Sequence, residues 1–174
     1  MAVGGRALDR DRQVEVLAGD DAAAERVFRN GLDVVAAAHD RDTAPNLAWR
    51  LGLVLARRGR DDEAERFARI AERARPAGMW VDVWWRIVLA LVEAHHDAAA
   101  RARGLVAEAC ERMAPFPESR MHANALLECA EALRASGRGD EAAALVAEAA
   151  GIAERLGYVV ARRRAEEAQR TPTA

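Results

Sequence analysis

An alanine recurs along the chain at a nearly constant interval, and this recurrence restricts the fold more than any other feature of the sequence. Ala24, Ala64, Ala102 and Ala142 stand 40, 38 and 40 residues apart, and five residues before each comes a turn-type residue, Gly19, Gly59, Asp97 or Gly137. The flanking text is related as well. Asp20-Asp21-Ala22-Ala23-Ala24-Glu25-Arg26 aligns with Arg60-Asp61-Asp62-Glu63-Ala64-Glu65-Arg66 and with Gly139-Asp140-Glu141-Ala142. A period of this length marks an array of supersecondary units, each of which buries its apolar face against the next.

Downstream of each alanine the apolar residues fall at helical spacing. The stripes are Ala24, Val27, Phe28, Gly31 and Val35; Ala64, Phe67, Ala68, Ala71 and Ala74; Ala102, Leu105, Val106, Ala109 and Met113; and Ala142, Leu145, Val146, Ala149 and Leu156. Each predicts an amphipathic second helix with arginine and glutamate on its outer flank. Upstream of the turns, first helices are expected over residues 44–58, 79–95 and 118–136, with a short one over 7–18. Leu47, Trp49, Leu51, Leu53, Val54 and Leu55 take up nearly the whole circumference of such a helix, so neighbours must cover it on two faces. Pro45, Pro76, Gly78, Pro115 and Pro117 stand where one pair ends and the next begins. The reading is one all-α domain over 1–174, with pairs at 7–39, 44–75, 79–113 and 118–156. A charged helix over 158–169 is expected to cap it.

Composition agrees with helices packed through small side chains. Forty-two residues are alanine, all 26 basic residues are arginine and 5% are aromatic, which excludes an all-β chain. Twenty-eight acidic against 26 basic groups are dispersed along the length, so no field of one sign favours nucleic acid or an anionic membrane. Two cysteines, Cys110 and Cys129, are too few for a disulfide framework. Met1 to Arg6 carry no apolar leader core, and the longest apolar run, residues 87–92, is far below a bilayer span. A cytoplasmic chain is the expectation.

The second unit resembles the tetratricopeptide repeat. Leu51-Gly52 in the first helix, Gly59 at the turn, Ala64 and Ala71 in the second helix and Pro76 at its exit all sit at that repeat's spacing. The other units depart from it: Cys129-Ala130 replaces Leu-Gly, His96-Asp97 replaces the glycine turn, and the period exceeds the usual roughly 34 residues. The resemblance implies a right-handed α-solenoid of about four antiparallel helix pairs. A second likeness covers almost the whole chain, through Val16-Leu17-Ala18-Gly19-Asp20, Arg57-Arg58-Gly59-Arg60, Cys129-Ala130-Glu131-Ala132-Leu133-Arg134 and Glu154-Arg155-Leu156-Gly157. It is similar to the C-terminal helical-repeat region of bacterial signalling regulators that carry a nucleotide cyclase-type or ATPase domain. What this implies is a regulatory or protein-interaction module; none of the cyclase or ATPase motifs is present.

No phosphate-binding loop, zinc-protease helix or serine-hydrolase elbow occurs, so no catalytic residue, metal or cofactor is expected. Ser119 and Ser136 read as helix caps, and His95-His96 as residues closing a first helix at its negative end. His39 and His122 read as surface or half-buried side chains, the cysteines as small core residues, and Arg162-Arg163-Arg164 as part of a solvated cap. The aromatics rise above this background: Trp80, Trp84 and Trp85 lie within six residues, and Trp49 is one unit earlier. In the register of the repeat, the concave groove is lined by Asn46, Trp49 and Leu53 with Arg57 at the rim; by Trp84, Ile87, Leu91 and His95; and by Asn124, Leu127, Glu131 and Arg134. An aromatic and aliphatic floor edged with arginine suits a protein or peptide partner. The rival readings are a detached sensor module of a larger regulator and a small-molecule sensor. Val27, Phe28, Leu32 and Val35, opposite a short first helix, suggest self-association at the N-terminal pair.

Overall fold

The computed structural model describes residues 20–74 and 78–170, and these form eight helices and no strand. They are α1 (Asp21–Ala37), α2 (Ala44–Arg57), α3 (Asp61–Arg73), α4 (Met79–His95), α5 (Ala99–Met113), α6 (Arg120–Ala135), α7 (Gly139–Arg155) and α8 (Val159–Arg170). The helix expected over 7–18, Gly19, Pro76 and the last four residues lie outside the described set. No described helix is long and apolar enough to cross a membrane.

The periodic turn residues have a common conformation. Gly59, Asp97 and Gly137 all have positive φ, at 67°, 57° and 72°, and His39 and Gly157 share it at 54° and 61°. At Gly59 the next amide, that of Arg60, donates to the Leu55 carbonyl at 2.9 Å; Ala98 to Glu93 and Arg138 to Leu133 repeat the bond at the same length. This is the Schellman closure, in which a left-handed residue lets the chain satisfy the last carbonyls of a helix before reversing. Glycine takes that conformation without cost, and aspartate is among the few other residues that tolerate it. Ser119 caps α6, its hydroxyl accepting from the His122 amide at 3.0 Å, which starts that helix at Arg120 rather than 118.

The helices lie in two layers. α2, α4, α6 and α8 pack successively on one another, while α1, α3, α5 and α7 each pack on the helix that follows them. Burial follows from this. α4 is buried on every side between Val81 and Ala94, whereas α3 buries only Ala64, Ala68 and Ala71, one stripe at spacings of four and three. Small residues fix how near the layers come. A Cβ on Gly52 would lie 3.2 Å from Val88 Cγ1 and 3.3 Å from the Ala64 carbonyl oxygen, so α2, α3 and α4 meet at a point that has no room for a side chain. Ala90 and Ala130 hold the corresponding places in the next two units and are fully buried. α8 packs on α6 and α7.

Candidate functional site

The layer of first helices carries a cavity between α2, α4 and α6, closed at its ends by α1 and α8. Phe28, Trp49, Arg50, Leu53, Arg57, Trp84, Met121, Asn124, Glu128 and Arg164 line it, and the centres of water-sized groups have about 50 Å³ to occupy. Trp49 and Trp84 form one wall. Their rings stack with centroids 4.6 Å apart and planes 7° from parallel, and the Arg50 guanidinium lies over Trp49 at 4.5 Å from its ring centre.

The floor is charged. Glu128 is only 1% exposed, and its Oε1 accepts from both Arg57 and Arg164, the latter at 2.5 Å. Arg57 also lies 3.9 Å from Asp21 of α1. Burial pushes the Glu128 carboxyl up, but the charges and hydrogen bonds of Arg57 and Arg164 outweigh it and hold the group below its usual range. One turn along α6, Glu131 goes the other way: burial and then the charge of Glu128 raise it, against the pull of the two arginines. Glu131 is solvent-accessible and yet crowded by these groups, which is how a side chain in a concavity is placed.

Four polar atoms of the lining residues are sealed from water and have no hydrogen-bond partner among the described residues. Two are donors, the indole Nε1 of Trp49 and of Trp84; two are acceptors, Asn124 Oδ1 and Glu128 Oε2. Enclosing such a group without a partner costs roughly 1–3 kcal/mol, and native structures hold few of them. By contrast, Trp85, one residue further along α4, donates its Nε1 to Asp82 Oδ1 at 3.3 Å and carries Arg86 over its face.

Of the twelve residues expected in a groove, Trp49, Leu53, Arg57, Trp84 and Asn124 meet at this cavity. Glu131 stands beside its charged floor. Ile87, Leu91 and Leu127 are buried in the core and do not line it; Trp49, Leu53 and Trp84 belong to the same core, at 3–4% exposure. Asn46 accepts from Arg50 through its backbone carbonyl, Arg134 donates to the Ala168 carbonyl, and His95 bonds Asp61 Oδ1 at 2.9 Å across to α3. None of these three lines the cavity. Three further readings are corrected. His122 is buried, its Nδ1 against the Phe116 carbonyl at 3.0 Å, and so pins the loop between α5 and α6. Arg164 is no solvated residue of the cap but a wall of the cavity, while Arg162 and Arg163 remain exposed. Phe28 lies in the core and on the cavity wall, which leaves Val34, at 66% exposure, with half-buried Leu32 and Val35 as the apolar surface of α1.

Sequence reasoning passed over Phe28, Arg50, Met121, Glu128 and Arg164. Two of these left a signal: Glu128 is a single carboxylate in the otherwise apolar run 125–130, and Arg164 stands forty residues beyond Asn124, one repeat later in the same register. Comparison of the chain with protein-family models, with curated proteins and with solved structures finds no match.

Proposed function

We propose that this chain is a non-catalytic interaction module, a right-handed solenoid of antiparallel, tetratricopeptide-like helix pairs whose concave side takes up a segment of a protein partner. One observation carries the reading: Trp49, Leu53, Arg57, Trp84 and Asn124, drawn from three units, converge on one cavity. Tryptophan and arginine are also the residues that interface hot spots are made of. As a cytoplasmic regulator, alone or joined to a cyclase-type or ATPase-type domain, the module would act by this contact. The small-molecule reading draws on the same cavity and differs in its occupant.

The test is site-directed crosslinking in the native host. A photoreactive residue replacing half-buried Met121 should capture one continuous partner segment, and the same residue at exposed Arg66 on the outer face of α3 should not. Capture from position 66 alone would overturn the proposal.

A further inference from the structure

The chain has two cysteines, and the fold brings them together. Cys110 stands near the end of α5 and Cys129 in the second half of α6, and their thiols share a hydrogen bond where the third unit packs on the fourth. The two sulfurs are not equally placed. Cys129 is sealed in the core at 0% exposure, whereas Cys110 is half-buried against the edge of that core. Packing does not demand sulfur at either position. At the preceding junction the corresponding residues, eight past the repeat alanine and one before Ala90, are Glu72 and Leu89. The pair is asymmetric in charge as well. The hydrogen bond with Cys129 outweighs burial and the charges of Glu148 and Glu111 and holds the Cys110 thiol below its ordinary range; the same bond, burial and the nearby Glu128 push Cys129 up. The sulfur that solvent reaches is therefore the one that more readily becomes a thiolate, the nucleophilic form, with a thiol held against it.

We propose that Cys110 and Cys129 are a reversible redox site whose oxidant is a peroxide, Cys110 being the attacking sulfur and Cys129 the one that closes the disulfide. The Cys110 thiolate attacks a peroxide oxygen, the S–O bond forming as the O–O bond breaks, and with hydrogen peroxide the departing hydroxide takes up the proton that Cys110 gave up and leaves as water. Cys129 then attacks the sulfenic sulfur. The S–S bond forms as the S–O bond breaks, and the hydroxide leaves as a second water with the Cys129 proton, so the two thiols have given two electrons to one peroxide. Two equivalents of a small thiol restore the pair: the first attacks the half-buried Cys110 sulfur and displaces Cys129, and the second frees Cys110 and departs as the small disulfide. While oxidised, the bond ties α5 to α6 and so fixes the third unit on the fourth.

The test adds hydrogen peroxide to the full folded chain at neutral pH, stops the reaction with catalase, and alkylates the remaining thiols after unfolding in urea. Mass spectrometry should show both alkylation sites lost together in a species of monomer mass, with tryptic peptides 104–112 and 121–134 joined, and both thiols returned by glutathione. Cys129→Ala should leave Cys110 as a sulfenic acid that dimedone captures at least about tenfold more than in the parent, where the neighbouring thiol closes the disulfide before a reagent from solution arrives. Cys110→Ala should leave Cys129 reduced. Because the parent chain carries the first measurement, a variant that fails to fold does not remove the test. Two thiols still alkylated after treatment, as expected of cysteines that only pack, would overturn the proposal. So would a disulfide joining two chains, Cys110 carried on to sulfinic acid with Cys129 still free, or equal dimedone capture in parent and Cys129→Ala. Oxidation of Cys129 in Cys110→Ala would overturn the assignment of roles.

Discussion

Glu25 and Glu128 are both buried carboxylates held by arginines, yet they sit in very different surroundings. Glu25 on α1 takes Arg29 at 2.8 Å and Arg60 at 2.6 Å on one oxygen and Arg58 on the other, so both of its oxygens are matched. Its arginines are 37–38% exposed, and they tie α1 to the turn between α2 and α3. Glu128 takes two arginines on a single oxygen, the other has no hydrogen-bond partner among the described residues, and the residue lines a cavity. The first cluster is a closed joint between units. The second has the same chemistry with an opening left in it, and that opening is what separates a site from a strut.

Removing each carboxylate should expose the contrast most strongly. Glu128→Ala strands Arg57 and Arg164, at 15% and 26% exposure, in a wall where water reaches them poorly, and should cost about 3 kcal/mol. Glu25→Ala releases arginines that can rehydrate where they stand and should cost about 1 kcal/mol or less. Urea denaturation of the two variants measures the difference; equal losses would mean that the two clusters are equivalent.

The pH dependence sharpens the same comparison through its sign. Burial raises Glu25 and Glu128, but their arginines prevail and leave both depressed in the folded chain, so each stabilises the fold above its unfolded pKa and loses that contribution as pH falls through its folded one. Glu131, raised by burial and by Glu128, opposes folding while ionised, and that cost disappears as pH falls through its raised pKa toward its unfolded value. Glu131→Gln should therefore raise the melting temperature near neutrality, with the gain vanishing in mild acid. A loss of stability at neutral pH would show that Glu131 is held by the arginines rather than strained against Glu128. Smallest of all, Arg60→Ala should leave the urea midpoint close to that of the parent, since Arg29 and Arg58 still hold Glu25.

The parts of this architecture that could be read from the sequence are those with local causes. The left-handed turns announce themselves as Gly59, Asp97 and Gly137, and the close approach of three helices as Gly52 with Ala64, because each of these residues is chosen by its own backbone or its nearest packing. The residues of the cavity are chosen by stacking. Arg57 and Glu128 are 71 residues apart, and which side of each first helix faces the hollow depends on how successive helices stack, which no single stripe records. Trp49 and Ile87 occupy the same register in successive units and are both buried, yet only Trp49 lines the cavity. Arg164 was hidden by its neighbours, since a run of three arginines among glutamates resembles a solvated flank until α8 is seen to pack on α6.

The central claim, that the Trp49–Trp84 cavity is where the partner enters, is tested most directly by filling it. Met121 is half-buried on the lining and packs at the edge of the core, so Met121→Trp keeps an apolar side chain there and adds bulk to the hollow. Affinity for the crosslinked partner segment, measured by calorimetry beside the melting temperature of the same variant, should fall at least about thirtyfold with the fold's stability unchanged, the loss expected when a hot spot worth about 2 kcal/mol is blocked. A variant that melts like the parent and binds the segment with undiminished affinity would contradict the account.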